Sequence, residues 1–166
     1  LPDDGGQIAM PAKELVEPVI QKDINYIVER DLTRRLGLID DILKTNGGDL
    51  FLLNQKAVLC AKFQKYSEAE HIFQAILKIN PDHLSSIVNL GNLAFLETQY
   101  EKSLSYFELA LSKRPNSPGV LLNMVLVYKQ LGKTEEMKAR FLALTRIDPQ
   151  LAERNKRVLA IEASAD

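Results

Sequence analysis

The sequence predicts an all-α, right-handed solenoid of antiparallel helix pairs, closed at both ends by helical caps. Three observations lead there. Apolar residues recur at helical spacing in short runs separated by polar breaks. Pro81, Pro115 and Pro149 stand 34 residues apart, each just after such a run. Phe73, Phe107 and Phe141 keep the same interval, and Tyr66 and Tyr100 repeat it earlier in the first two units. A period of this size marks stacked supersecondary units, none of which buries its apolar face alone.

The middle unit, Leu84 to Pro115, is the most legible. Ile87, Leu90 and Leu93 line one helix, and Leu104, Phe107, Ala110 and Leu111 line a second, with Gln99 and Tyr100 between them. Gly91 has no side chain, so the facing helix can come close there. A shift of 34 residues puts Gly91 on Ala57 in the first unit, and puts Ile87 and Leu90 on Leu121 and Met124 in the third.

These positions resemble the tetratricopeptide repeat family. Its pattern is a large apolar residue, then Leu-Gly, then Ala with an aromatic four residues later, then Pro. The middle repeat carries it as Ile87, Leu90-Gly91, Ser103, Phe107 and Pro115, and its run Asn89 to Asn92 is similar to the family consensus. The first carries Leu53, Ala57, Ala69, Phe73 and Pro81, with Lys56 where Leu is usual and Ile76 where a small residue is usual. The third carries Leu121, Met124, Phe141 and Pro149 but has Val125, Met137 and Leu144 at small-residue positions, which predicts a wider helix pair. The resemblance covers about 100 of the 166 residues.

In chain order, residues 1–10 read as a flexible lead-in. Leu1 to Gln7 holds Pro, Gly and Asp without periodicity, as a linker from a longer parent chain would. Residues 11–48 read as a degenerate repeat or an N-terminal capping helix pair. Pro11 suits a first helical turn and Pro18 the start of a second helix. The stripe Ile20, Ile24, Ile27, Val28, Leu32, Leu36, Ile39, Ile42 and Leu43 is helical, Gly37 marks a turn or kink, and Asn46-Gly47-Gly48 ends the helix. The repeats follow as residues 49–83, 84–117 and 118–150. Asp49 is the expected N-cap of the first opening helix. Ser67 with Glu70 is the expected capping box of its second helix, and Lys133-Thr134-Glu135 holds the same place in the third repeat. Residues 151–166 read as a solvating C-terminal helix, apolar at Leu151, Val158, Leu159 and Ile161, with Glu162 to Asp166 fraying.

Composition suits a globular helical chain: 46% hydrophobic and 26% charged. The net charge of −1 argues against nucleic acid as the main partner. No apolar run approaches a membrane span, so direct membrane insertion by this segment is not expected. For compartment, cytoplasm is the default and a periplasmic or membrane-anchored parent the alternative. Cys60 stands alone, excluding an internal disulfide, and falls where a small apolar filler belongs. Neither GxxxxGK[ST] nor GxGxxG occurs. Glu68 and His71 are three apart on a helix but lack a second His or Cys at ligand spacing, and His83 sits in an inter-repeat turn. These features predict no catalysis, no metal and no cofactor.

The resemblance implies that the first helix of each repeat lines a concave groove. The sixth residue of each repeat is Gln55, Asn89 or Asn123, a row of primary amides able to pair with the N–H and C=O of an extended peptide. The row is similar to the asparagine ladder of the repeat region in O-GlcNAc transferases. The plain alternative is that these amides pack or meet water. Around them the groove would show Phe51, Asn54, Val58 and Lys62, then Val88, Asn92 and Phe95, then Leu122, Leu126 and Lys129. The chaperone-tail clamp of the family is Lys, Asn, Asn, Lys and Arg; Asn89 matches its second Asn, and the other four positions hold Asn54, Val58, Gly119 and Asn123, so the cations are absent and a carboxylate clamp is not expected. The expected role is a non-catalytic adaptor holding a protein or peptide partner in the groove. The alternatives are self-assembly into a homo-oligomer through the apolar groove or cap faces, and an accessory domain of a larger enzyme or membrane-anchored protein.

Overall fold

The computed structural model describes the backbone of residues 13–159 and the side chains of residues 26–156. The expected lead-in at Leu1 to Gln7, the fraying at Glu162 to Asp166, and the roles given to Pro11 and Ile161 lie outside the described residues. The chain divides into two units, Leu1–Gly47 and Gly48–Asp166.

The described part of the first unit is one helix, α1, Lys13–Thr45. Sequence reasoning expected two helices divided near Pro18, or a turn at Gly37. Instead the helix runs through both. Pro18 is the sixth residue of α1, so the helix forgoes one i→i−4 hydrogen bond there and continues. At Gly37 nothing approaches within 4 Å of a notional Cβ, so no neighbour forces a bend. The turn at Asn46 to Gly48 ends the helix as expected.

The second unit holds seven helices among the described residues: α2 Leu50–Lys62, α3 Tyr66–Ile79, α4 Leu84–Leu96, α5 Tyr100–Lys113, α6 Pro118–Gln130, α7 Thr134–Ile147 and α8 Pro149–Leu159. They pack as the pairs α2–α3, α4–α5 and α6–α7. Each second helix also meets the next first helix, and the first helices touch one another in the series α2, α4, α6, α8. This is a solenoid of helical hairpins.

The turn inside each hairpin is the same. Lys65, Gln99 and Lys133 each donate their backbone N–H to a carbonyl five residues back, on Cys60, Ala94 and Tyr128, at 2.9, 2.8 and 3.0 Å. The preceding residues, Gln64, Thr98 and Gly132, donate to Ala61, Phe95 and Lys129 and adopt φ of 61°, 60° and 67°. This double pattern is a Schellman motif, which satisfies carbonyls left open at a helix end and reverses the chain. It needs a left-handed residue, and the third repeat alone supplies glycine. The β-branched Thr98 carries the largest strain.

Side-chain caps are sparser than the sequence suggested. Asp49 accepts from the Leu52 N–H at 3.0 Å, as expected. The capping box at Ser67 does not form: α3 already starts at Tyr66, Lys65 takes the cap position two residues before Ser67, and no side chain caps it. The Schellman turn dictates this, because its last residue is already the helix entry. Lys133 caps α7 likewise, without a side-chain bond.

The core follows the stacking. Ile87, Leu104, Phe107, Ala110, Val120, Met124, Val127 and Tyr128 form one buried cluster across α4, α5 and α6. Leu121, Leu144 and Ala152 form another across α6, α7 and α8. In the third repeat Val125 and Leu144 are fully buried where small residues are usual. Between α4 and α5, a Cβ placed on Gly91 would lie 2.5 Å from Phe107 Cε1. Phe107 is 1% exposed, its ring held in the buried cluster. Ser103 reinforces the approach, its buried hydroxyl donating to the Gly91 carbonyl at 2.8 Å.

Two stability experiments follow from this packing. Gly91→Val is expected to lower the unfolding free energy by about 1–3 kcal/mol through overpacking. In urea titrations, Gly91→Val combined with Phe107→Leu is expected to cost less than the two single changes added together, because the smaller side chain relieves the clash. Thr98→Gly is expected to raise stability by up to about 1 kcal/mol, relief of the left-handed strain outweighing the added freedom of the unfolded chain. Gly132→Ala is expected to move the urea midpoint the opposite way.

Candidate functional site

The inner face of α2, α4 and α6 carries the row expected to line the groove. Asn54, Val58, Val88, Asn89, Asn92, Phe95, Leu122, Asn123 and Leu126 are half-buried there, whereas Phe51, Gln55, Lys62 and Lys129 are exposed, Phe51 at 67%. Phe95 also stacks at a tilt on Tyr100, ring centres 5.6 Å apart.

The amides are joined in two rungs rather than in one row. Asn89 Nδ2 donates to Asn54 Oδ1 at 3.2 Å, linking α4 to α2. Asn123 Nδ2 donates to Asn92 Oδ1 at 2.8 Å, linking α6 to α4. Gln55 belongs to neither. Residues at equal repeat positions stand about one interhelical distance apart, roughly 8–10 Å, beyond the span of two short amides. Each Asn therefore bonds to the neighbouring helix at a shifted position. Each rung engages one donor and one acceptor, so every amide keeps hydrogen-bonding capacity for a ligand.

Two cavities flank α4 on this face. The first, about 170 Å³, lies between α2 and α4 and is lined by Val58, Ala61, Lys62, Asn89, Asn92, Leu93 and Leu96 over the edge of Phe73. The second, about 300 Å³, lies between α4 and α6 and is lined by Asn92, Phe95, Leu96, Asn123 and Leu126 over Phe107. Asn92 and Leu96 belong to both. Sequence reasoning missed Leu96, which is 55% exposed, although it occupies the repeat position of Lys62, already assigned to the groove. It also left out Phe73 and Phe107, assigned to the core alone; their outer edges floor the cavities.

The residues with catalytic potential are engaged structurally. His83, expected as a plain turn residue, caps α4: its Nδ1 accepts from the Ser86 N–H at 3.3 Å and lies 2.9 Å from the buried Ser86 hydroxyl. His71 Nδ1 contacts the Ser67 carbonyl at 2.7 Å on the surface of α3. Among the described residues, no group of three or more His, Cys, Asp or Glu side chains is placed to hold a metal ion, and no helix is long and apolar enough to cross a membrane. Cys60 is fully buried. Burial first, then the charge and hydrogen bond of Glu68, push its thiol up to about 11. The reactive thiolate is correspondingly scarce at neutral pH.

Comparison with known proteins agrees with this architecture. The family profile described as tetratricopeptide repeat matches residues 52–83 and 118–151. A stretch of 85 residues, 51% of the chain, is 29% identical to mouse protein O-mannosyl-transferase TMTC3 and 28% identical to the human protein, spanning 9% of the length of each. The solved fragment of MamA from Desulfovibrio magneticus RS-1, residue 41 to the end, superimposes with a TM-score of 0.63 at 18% identity, over 84% of this chain and 88% of that fragment. The first repeat domain of Spaghetti (RPAP3), solved with the HSP90 peptide SRMEEVD, superimposes with a TM-score of 0.60 at 18% identity, over 67% of this chain and 90% of that one.

The Cys60 environment has a measurable consequence. Its raised value contributes stability below the ordinary thiol value of 9.0, and that contribution fades as pH rises towards 11. Alkylation of the folded protein at pH 8 is expected to be slow and to quicken in urea, and the native rate is expected to keep climbing past pH 9. Equal rates with and without urea at pH 8 would contradict the burial.

Proposed function

Taking the chain as the tetratricopeptide-repeat solenoid that its sequence and fold make it, we propose that it is a non-catalytic interaction module holding a segment of a partner protein against α2, α4 and α6. The carrying observation is the pair of cavities astride α4, apolar in their walls and rimmed by amides. Concave, largely apolar recesses with a few convergent polar groups are the usual form of a binding site. The Spaghetti domain, whose fold this chain shares, was solved with a peptide bound.

Self-association is the second reading. It is favoured by the exposure of Leu96 beside the half-buried Phe95, Leu122 and Leu126, an apolar face that a second copy could cover. Light scattering over a concentration series separates the two: a constant monomer mass leaves the adaptor reading standing, and a mass rising to a dimer favours the second.

The direct test compares the parent chain with Leu96→Asp as baits in a cell lysate, after circular dichroism shows equal helix content. Proteins held by the parent and lost by the variant are expected. Equal recovery by both would move the interface away from this face.

A further inference from the structure

We propose that the groove reads one specific pattern: an extended segment with two apolar side chains three residues apart and a carboxylate next to the one seated beside Lys62. This rests on the groove reading above and adds the chemistry of the partner.

The cavity sizes come first. At about 170 and 300 Å³ they fall at or below the lower end of pockets that hold whole small molecules. They suit single aliphatic side chains. Each is floored by the phenylalanine of its own hairpin, Phe73 or Phe107, and Leu96 forms the ridge between them. Two sockets on either side of one helix are separated by roughly one interhelical distance, about 8–10 Å.

The conformation of the segment follows from that spacing and from the amides. A polyproline-type chain advances about 9 Å in three residues and returns its side chain to the same face. A helix would need about seven residues to match that rise, and its own ladder would occupy the backbone groups. Asn92 lies between the sockets and lines both. Its Oδ1 is engaged by Asn123, which leaves its Nδ2 to donate, while Asn89, whose Nδ2 is engaged by Asn54, leaves its Oδ1 to accept. Asn92, lining both sockets, thus offers a donor, and Asn89, lining the first, an acceptor, to backbone C=O and N–H groups that only an extended segment leaves open.

Charge sets the last feature. Among the described residues, Lys62 is the only ionisable one lining either socket, and no carboxylate lines them. A carboxylate on the partner beside the first socket meets this ammonium, and one apolar anchor thereby becomes distinct from the other. That asymmetry gives the segment a direction.

The probe is a phage-displayed library of random dodecapeptides, panned on the intact chain and counter-screened on Leu96→Asp. Enriched peptides dependent on Leu96 are expected to share two aliphatic residues with two positions between them and an Asp or Glu flanking one. In fluorescence anisotropy with a labelled winner, alanine at either anchor is expected to weaken binding about 10-fold or more. Lys62→Glu is expected to weaken binding about 5-fold at low salt and less at high salt. Leu96-dependent peptides with another spacing, or with affinity indifferent to Lys62→Glu, would overturn this inference and leave the groove reading in place. Recovery of only peptides that bind Leu96→Asp equally would overturn both.

Discussion

The contact between Phe107 and Gly91 is the constraint on which the central repeat depends. The ring occupies the space a side chain at residue 91 would fill. That allows α4 and α5 to approach until the Ser103 hydroxyl reaches the Gly91 carbonyl. The same ring belongs to the buried cluster spanning α4, α5 and α6, so one side chain ties the hairpin together and joins it to the next repeat. Its outer edge floors the larger cavity. The packing of the central repeat and the floor of the proposed binding face thus share one side chain. A fully buried phenylalanine contributes on the order of 2–3 kcal/mol, a sizeable share of the net stability of a domain this small.

Above that floor, polar groups settle how the repeats are registered. The two Asn–Asn rungs cross between hairpins, linking first helices that the core already brings together. Individually such bonds contribute about 1 kcal/mol. Their geometric role is larger, because each fixes the orientation of an amide whose other half faces the groove. On the outer surface, Lys102 to Glu70 at 2.9 Å joins α5 to α3, and the pair of Lys113 with Asp82 ties the end of α5 to the preceding turn. Both are solvent-exposed and contribute little. Packing, amide rungs and repeated Schellman turns together give a regular array without a metal ion or disulfide among the described residues.

Much of this was legible in the sequence because it obeys a period. Proline and aromatic residues at intervals of 34, with Gly91 facing the aromatic row, specify hairpins and their order. What was hidden departs from the period or leaves no chemical mark. Gln64 and Thr98 adopt the left-handed turn that only Gly132 advertises. His83 caps a helix by accepting at a ring nitrogen, which the usual list of capping residues omits. Pro18 lies inside a helix, past the first turn where proline is tolerated, so its place there departs from the local rule. The amide row was visible as composition, yet its pairing was not: bonds form between shifted positions because equal positions are too far apart. Leu96 was overlooked even though its repeat equivalent, Lys62, was assigned to the groove, because a ridge is a property of two neighbours rather than of one residue.

The most direct test is to follow side-chain amide and leucine methyl NMR signals while titrating in a bound peptide. The account requires the NH₂ pairs of Asn89, Asn92 and Asn123 and the methyls of Leu96 and Leu126 to move first and furthest, with the methyls of Leu109 and Leu142 on α5 and α7 unmoved. Shifts concentrated on Leu109 and Leu142, with the asparagine amides unchanged, would contradict it.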